Sequence, residues 1–257
     1  MPNTVLYESE DHRNVLLEDF DLGGLAVQAN QHLIIHGDVG MILDPGGHKV
    51  YSRALSETIA VLGNINLRYI FLSHQDPDIV AAVNGWLLST EAEAYISALW
   101  MRFVPHFGLD HLVASRLKPI PDEGMVIDLG GVPLPVLPGH FLHSPGNFQV
   151  YDPIAKILYS GDLGASLGMN YLFVEDFDAH LQYMEWFHKR YMASNKVLKA
   201  WASMVRTLDI DIIAPQHGAV FKGREMVTRF IDWCAQLDCG VDIVGDLFKT
   251  PTDYDAY

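Results

Sequence analysis

The chain is 257 residues long, with 49% hydrophobic and 19% charged residues, a composition typical of a globular protein with a large buried core. Its 32 acidic residues outnumber its 17 basic ones and give a formal net charge of −15, which argues against nucleic acid and anionic membranes as partners. No apolar run reaches membrane-spanning length and the N-terminus lacks a signal-peptide pattern, so we expect a cytoplasmic protein.

The predicted elements alternate between short strands and helices. In the first half, the pattern of apolar and β-branched residues predicts two strands within 24–36, a strand within 39–47, a helix over 50–62, a strand at 68–72, a helix over 79–88, a strand at 94–96 and a helix over 99–107. In the second half, it predicts strands around residue 117 and at 125–127, 132–136, 148–152 and 156–160, a helical region over about 178–208, a last strand at 210–215 and a helix over 223–237. Two halves of strands with flanking helices indicate an α/β protein, an αββα four-layer sandwich in a single domain over residues 1–257.

Cys234 and Cys239 lie five residues apart in a stretch predicted to be helical. Because a helix turns once in about 3.6 residues, this spacing places the two thiols on different faces. The spacing argues against a disulfide or a Cys-x-x-Cys metal site and favours packing in the core.

The loop behind the predicted strand at 68–72 carries three ligand-type residues, His74, Asp76 and Asp78. Imidazole and carboxylate groups bind metals, and alternate residues of such a loop can converge on one point. The same stretch is also compatible with a polar turn in which Asp78 caps the following helix.

Three more ligand-type residues lie close behind other predicted strands, and they are His143, Asp162 and His217. Taken singly, a histidine at a strand end is usually a hydrogen-bonded structural residue, and an aspartate between glycines is usually a turn residue. Six such residues in the order His-x-Asp-x-Asp, His, Asp, His would rarely arise by chance. Together they indicate a metal site.

This order and spacing resemble the metallo-β-lactamase fold, whose hydrolases carry His-x-His-x-Asp-His, then His, a bridging Asp and a final His. The Leu-Asp-Pro-Gly turn at 43–46 is similar to the opening of that family. The resemblance extends from about residue 26 to residue 221, which is most of the chain.

Two departures from the hydrolase motif favour one branch of this fold. Asp76 stands where the hydrolases have a second histidine, and Ile79 stands where their motif ends in histidine. A carboxylate at the first position is typical of the flavodiiron branch, which has Glu there and holds two irons. The segments 143–153, 159–162 and 209–218 are similar to the same branch.

The resemblance divides the six ligand-type residues into two groups joined by a bridge. The implied ligands are His74, Asp76 and His143 for one metal, Asp78 and His217 for the other, and Asp162 between the two. Such a mixed nitrogen and oxygen set without sulfur suits iron, manganese or zinc, and the resemblance implies two irons. Tyr191 is similar to a tyrosine bordering the diiron pocket, where its hydroxyl could donate a hydrogen bond to a small ligand; a packing role is equally open.

Other histidines lack this context. His140 lies three residues before His143, but only His143 is followed by a proline two places on. We therefore expect His140 to support a ligand or to be structural, and not to bind metal itself. We expect surface or packing roles for the remaining candidates, which are His36, His48, His106 and His180.

Three functional hypotheses stay open. The first is a flavodiiron-type enzyme that reduces O2 or NO; the sequence ends at Tyr257 without the FMN domain of that family, so electrons would come from a separate partner. The second is a non-catalytic diiron sensor, similar to diiron oxygen-binding chemosensor proteins, that signals to a partner protein. The third is a dinuclear metal hydrolase of phosphodiesters or thioesters. Three carboxylate ligands stabilise oxidised iron and raise the pKa of metal-bound water, which favours O2 binding over hydrolysis; a homodimer is a further expectation.

Overall fold

Two β-sheets lie at the centre of the computed structural model, which describes residues 3–17, 28–245 and 248–249. The seven strands of the first sheet, adjacent in chain order, are β1 (Thr4–Glu8), β2 (His12–Leu16), β3 (His32–His36), β4 (Val39–Leu43), β5 (Asn66–Phe71), β6 (Glu93–Ser97) and β7 (Leu117–Ile120). Strands β1 to β4 pair antiparallel, and strands β4 to β7 pair parallel.

The six strands of the second sheet, also adjacent in chain order, are β8 (Met125–Leu129), β9 (Val132–Pro138), β10 (Phe148–Asp152), β11 (Ile157–Gly161), β12 (Ile212–Pro215) and β13 (Phe221–Lys222). All neighbours in this sheet are antiparallel except β11 and β12, which are parallel. The carboxyl ends of β11 and β12 therefore lie at the same edge of the sheet.

Helices cover the outer faces of both sheets. They are α1 (Tyr51–Leu62), α2 (Pro77–Val80), α3 (Val83–Ser89), α4 (Phe177–Tyr191), α5 (Asn195–Val205) and α6 (Arg224–Gln236). Within the described ranges, none of the helices combines the length and the apolar character that crossing a bilayer requires.

Successive residues of a strand point to opposite faces of its sheet, and this alternation builds the layers. In β3, Leu33 and Ile35 pack with residues of α1 and α3, whereas Ile34 packs between the two sheets. In β11, Ile157 packs between the sheets, whereas Leu158 packs with residues of α4, α5 and α6. Three hydrophobic layers thus separate four layers of secondary structure, and the predicted αββα sandwich is confirmed.

The helix predictions need correction at three places. The predicted helix over 178–208 is two helices, α4 and α5, because the backbone is extended at Met192 and Ser194. The predicted helix over 99–107 is a pair of short 3-10 segments, Ala98–Trp100 and Val104–Phe107. Pro105 has no N–H to donate, so a continuous helix cannot run through this stretch. The predicted helix over 79–88 is divided into α2 and α3.

The strand predictions agree better with the structure. Strands β1 and β2 were not predicted, because each is five residues long and mixes polar with apolar side chains. The strand at 210–215 is not the last, since the two-residue β13 follows and pairs with it. One of the two strands predicted within 24–36 is β3. The other would precede it, where residues 24–27 lie outside the described residues and residues 28–31 form no strand. Both cysteines are buried and unbridged in the core of the second half, as predicted. Only Cys234 lies in a helix, however, because α6 ends at Gln236 and the backbone is extended at Cys239.

His188 of α4 is fully buried and connects this helix to the loop after β11. Its Nδ1 donates a hydrogen bond to the carbonyl of Met184 at 2.7 Å, and its Nε2 accepts one from the N–H of Gly164 at 2.8 Å. Burial lowers the pKa of His188 to about 4, so the imidazole is neutral at pH 7.

This lowered pKa predicts an acid-dependent loss of stability. As the pH falls below about 6.5, the unfolded chain binds a proton at His188 before the folded chain does, so the free energy of unfolding decreases until about pH 4. In His188→Gln, the decrease between these pH values should be smaller by up to about 3 kcal/mol. Urea unfolding at several pH values measures it, with the exposed His111→Gln as control. Equal pH dependence in wild type and His188→Gln would contradict the prediction.

Candidate metal centre

The connections that follow several strands meet at one end of the sandwich. Asp162 directly follows β11, and His217 comes two residues after β12, the parallel neighbour of β11. His74 comes three residues after β5, and His143 lies in the connection between β9 and β10. Because these strands and connections end at the same side of the sandwich, residues that are far apart in sequence lie close together.

The loop after β5 enters α2 at Pro77. Proline is favoured at the first position of a helix because no N–H is needed there. Asp76 is the residue before the helix and Asp78 lies in its first turn, so the alternative in which Asp78 caps the helix is wrong. The carboxylate of Asp76 instead faces His74 and His143.

One group of side chains gathers around the carboxylates of Asp76 and Asp162. Nε2 of His143 lies 2.9 Å from Oδ2 of Asp162 and 3.5 Å from Oδ2 of Asp76. Nε2 of His74 lies 3.6 Å and 3.5 Å from the same two oxygens. One ligand atom from each of these four residues lies within 4.8 Å of the others, a spacing that one ion can bridge.

A second group shares Asp162 with the first. Nε2 of His217 lies 3.3 Å from Oδ2 of Asp78 and 3.6 Å from Oδ1 of Asp162. Asp162 thus presents Oδ2 to the first group and Oδ1 to the second. The structure brings all six predicted residues together in the two groups that the resemblance implied.

Two buried polar atoms show that these residues fit a pair of cations. His74 and Asp162 are 1% and 4% exposed, and within the described residues neither Nε2 of His74 nor Oδ1 of Asp162 makes a hydrogen bond, since the groups that face them lie 3.5–3.6 Å away. Leaving such atoms unpaired in the interior is costly, about 1–3 kcal/mol each. A cation on each side of Asp162 would satisfy both atoms, and three imidazoles with three carboxylates suit iron, manganese or zinc.

The electrostatics show how strongly the carboxylates favour positive charge. Burial opposes ionisation of Asp162, but the charge of His74 and the hydrogen bond from His143 outweigh it and lower the pKa of Asp162 to about 2. Burial likewise opposes protonation of His143, but the hydrogen bond to Asp162 and the nearby carboxylate of Asp76 raise its pKa to about 10. For His217, the hydrogen bond to Asp78 outweighs burial and raises the pKa to about 9. A bound cation would take the place of these protons.

Groups behind the imidazoles fix their orientation. Nδ1 of His217 donates a hydrogen bond to the carbonyl of Gln28 at 2.6 Å, and Nδ1 of His74 lies 3.0 Å from the hydroxyl of Ser73. When Nδ1 donates such a hydrogen bond, the lone pair of Nε2 is free to bind a metal. Both rings are therefore held with Nε2 towards Asp162.

Gln75 connects two of the loops and holds the carboxylate of Asp76. Its Nε2 donates a hydrogen bond to Oδ1 of Asp76 at 2.8 Å, and its Oε1 accepts one from the hydroxyl of Ser144 at 2.5 Å. Ser144 is the neighbour of His143, so the side chain of Gln75 links the loop after β5 to the loop that carries His143. Oδ2 of Asp76 is left facing the two imidazoles.

Gly218 is required next to His217. Its backbone has φ of +84°, and a Cβ there would lie 2.1 Å from Oγ and 2.3 Å from the carbonyl oxygen of Ser166. No other residue fits this close approach without moving the loop.

The aromatic side of the centre comes from α4. The ring of Tyr191 lies 5.5 Å from that of His143 and stacks on Phe187 at 4.6 Å. Tyr191 is half exposed, so the structure places it at the mouth of the centre, where both its predicted roles stay open.

The ring nitrogen Nε2 of His140 lies 2.7 Å from the carbonyl oxygen of Asp122, in keeping with a structural role. Ile79 is fully buried in the core between the first sheet and its helices.

The sequence did not reveal the residues that orient the predicted ligands. Ser73 and Gln75 flank His74, and Ser144 follows His143, so adjacency to a ligand was the available signal for these three. Gln28 is remote in sequence from His217, and its contribution is a backbone carbonyl, which no side-chain pattern marks.

Fold and site together define a metallo-β-lactamase fold with a candidate dinuclear centre of imidazole and carboxylate groups. Residues 27–218 match the family described as "ODP family beta lactamase", and the chain belongs to that family. The resemblance inferred from the sequence is thereby confirmed.

The chain is similar to the chemotaxis sensor ODP in two solved structures. A peroxy diiron species of that sensor is 43% identical and has a TM-score of 0.85, over 96% of this chain and 100% of that one. The apo state of the sensor from T. denticola is also 43% identical, with a TM-score of 0.83 over 96% and 99% of the two chains.

More distant similarities cover only parts of longer proteins. A flavodiiron core from Synechocystis sp. has a TM-score of 0.72 at 18% identity, over 91% of this chain and 61% of that one, which shows a shared fold. An uncharacterized protein of Methanocaldococcus jannaschii is 27% identical over 121 residues, or 44% of this chain, and the chain spans 30% of that relative.

The contact between Gln75 and Asp76 predicts an effect on metal affinity. In Gln75→Ala, Oδ1 of Asp76 loses its amide donor and the carboxylate gains rotational freedom, so metal affinity should fall about 10–100-fold. Competition against a chelator of known affinity measures this change. The control is Gln182→Ala, since that glutamine is exposed on α4. Equal affinity in Gln75→Ala and Gln182→Ala would show that Gln75 does not position Asp76.

Proposed function

We propose that this chain is a non-haem diiron protein that binds O2, with NO as an alternative small ligand, and acts as an oxygen sensor. The observation that carries the proposal is the placement of Asp162, whose two carboxylate oxygens face separate groups of imidazoles. A carboxylate in this position can bridge two cations about as far apart as in known two-metal sites, roughly 3.5–4 Å.

In this proposal, His74, Asp76 and His143 hold one iron, Asp78 and His217 hold the other, and Asp162 bridges them. Three imidazoles suit iron as well as zinc or manganese. Three carboxylates give the set three negative charges, which stabilise a more highly charged, oxidised pair of ions and make a bound water less acidic. The ligand set therefore favours iron and O2 over the hydroxide-generating chemistry of a zinc hydrolase.

The comparisons support a sensor more than a reductase. Similarity to a chemotaxis sensor of which a peroxy diiron species is known extends over nearly the whole of both chains. The similarity to the flavodiiron core, at 18% identity, shows the shared fold alone. We accordingly propose that the signal passes to a separate partner protein, and that a rapid supply of electrons is not needed.

Residues of this chain would perform three tasks when iron is bound. The iron pair would supply reversible one-electron chemistry towards a small ligand. Ser73 and the carbonyl of Gln28 orient the imidazoles, and Gln75 orients Asp76. Phe187 and Tyr191 form an aromatic wall beside His143 that limits access of water from that side.

The bridging role of Asp162 predicts a loss of metal in a substituted protein. Iron-replete wild type should contain about two irons per chain, and Asp162→Ala should lose at least one of them because both sites share this carboxylate. Metal analysis and circular dichroism measure iron content and folding, with Asp122→Ala, at an exposed position, as control. Unchanged iron content in a folded Asp162→Ala protein would refute the bridge, and uptake of zinc alone by wild type would refute the diiron assignment.

A second prediction separates O2 binding from hydrolysis. Addition of O2 to anaerobic, reduced wild type should produce a new charge-transfer absorption in the near-ultraviolet or visible, and His74→Ala should lack it. The same samples should show no steady turnover of phosphodiesters or thioesters. An unchanged spectrum, together with metal-dependent ester turnover that His74→Ala abolishes, would favour the hydrolase instead.

A further inference from the structure

A second pair of imidazoles lies at the opposite end of the first sheet from the candidate centre. His12 of β2 and His36 of β3 are directly paired in the antiparallel ladder. His36 ends β3 beside Val39, the first residue of β4, whereas the candidate centre lies beyond the last residues of β4 and β5. Five residues of β3, at roughly 3.4 Å each, separate the two ends.

The two rings point their Nδ1 atoms at each other, and each ring has a carboxylate near its other nitrogen. The two Nδ1 atoms are 3.4 Å apart. Nε2 of His12 lies 2.7 Å from Oδ2 of Asp152, and Nε2 of His36 lies 3.9 Å from Oδ2 of Asp11. A carboxylate behind an imidazole is the usual arrangement at metal-binding histidines.

The surroundings of Asp152 determine which nitrogen of His12 carries the proton. Oδ1 of Asp152 accepts hydrogen bonds from the N–H groups of Ile154 and Ala155, and Oδ2 accepts one from the amide of Asn14. Because Asp152 accepts in all these contacts, His12 donates to it through Nε2. In the tautomer with its proton on Nε2, His12 has a lone pair on Nδ1, on the side of His36.

The distance between the two Nδ1 atoms fits two ligands of one cation. Hydrogen bonds from N–H groups are usually about 2.7–3.2 Å long, so 3.4 Å is long for a direct bond between the rings. Two nitrogens bound to a tetrahedral ion at about 2.0–2.1 Å are separated by about 3.4 Å. The side chain of His12 is fully buried and that of His36 is 17% exposed, so a cation would enter from the side of His36.

We propose that His12 and His36 form a second metal site, distinct from the candidate centre, for one divalent cation that prefers imidazole, such as Zn²⁺ or Cu²⁺. Water completes the coordination. Asp152 fixes the tautomer of the buried ligand.

Zinc titration of iron-loaded protein, followed by calorimetry, tests the site. Wild type should bind one zinc ion per chain without releasing iron, and iron content before and after titration establishes this. His36→Gln should bind that zinc at least about tenfold more weakly, because one of two imidazole ligands is lost. His111→Gln is the matched control, since His111 is an exposed histidine beside a carboxylate, 3.1 Å from Asp110, and should bind as wild type does.

A second variant, Asp152→Asn, changes the tautomer of His12 and leaves both imidazoles in place. The amide of Asp152→Asn cannot accept from both sides, so His12 should carry its proton on Nδ1 and zinc affinity should fall about 10–100-fold. Thermal melting without zinc checks that each variant is folded. The proposal is overturned if folded His36→Gln binds zinc as tightly as wild type does. It is also overturned if wild type binds no zinc except by exchange at the iron centre. In either case, the contact between the two rings is only a long hydrogen bond.

Discussion

The buried carboxylate of Asp162 is the constraint on which the candidate centre depends. A charge at this depth is costly unless cations or hydrogen-bond donors surround it. Three imidazoles from three separate loops face its two oxygens, and each loop is placed there by the end of a strand. The parallel pairing of β11 with β12 has the largest consequence, because it puts Asp162 and His217 at one edge.

Other residues of the site hold these ligand-type side chains in place through hydrogen bonds and packing. Gln28 and Asn30 hold the loop of His217, since Asn30 donates from its side chain to the carbonyls of Pro215 and Gly218. Gln75 joins the loop of His74 to the loop of His143. The aromatic pair on α4 closes one side. These contacts restrict the ligand-type side chains from several elements of the four-layer fold.

The two sheets are also joined by polar contacts that the sequence pattern does not indicate. His12 and Asn14 of the first sheet reach Asp152 and Tyr159 of the second, and all four side chains are buried. Buried polar networks of this kind are tolerated when their members find partners, and they then specify one relative placement of the packed elements. Here the network fixes strand β2 against β10 and β11, and it is the same network that orients His12 towards His36.

The sequence by itself determined the fold class, most strands and the six ligand-type residues, because alternation of apolar residues and the order of ligand-type residues are properties of the chain alone. The apolar pattern predicts one helix over 178–208. The structure has two helices there, because the backbone is extended at Met192 and Ser194, and this conformation depends on tertiary packing. Only the tertiary structure decided which oxygen of Asp162 faces which imidazole, that Gln75 supports Asp76, and that His12 meets His36. The contacts of Asp162 and of His12 join residues from different strands and loops, and Gln75 is held beside Asp76 by Ser144 of another loop. Their geometry therefore follows from strand pairing and sheet packing, which no local pattern encodes.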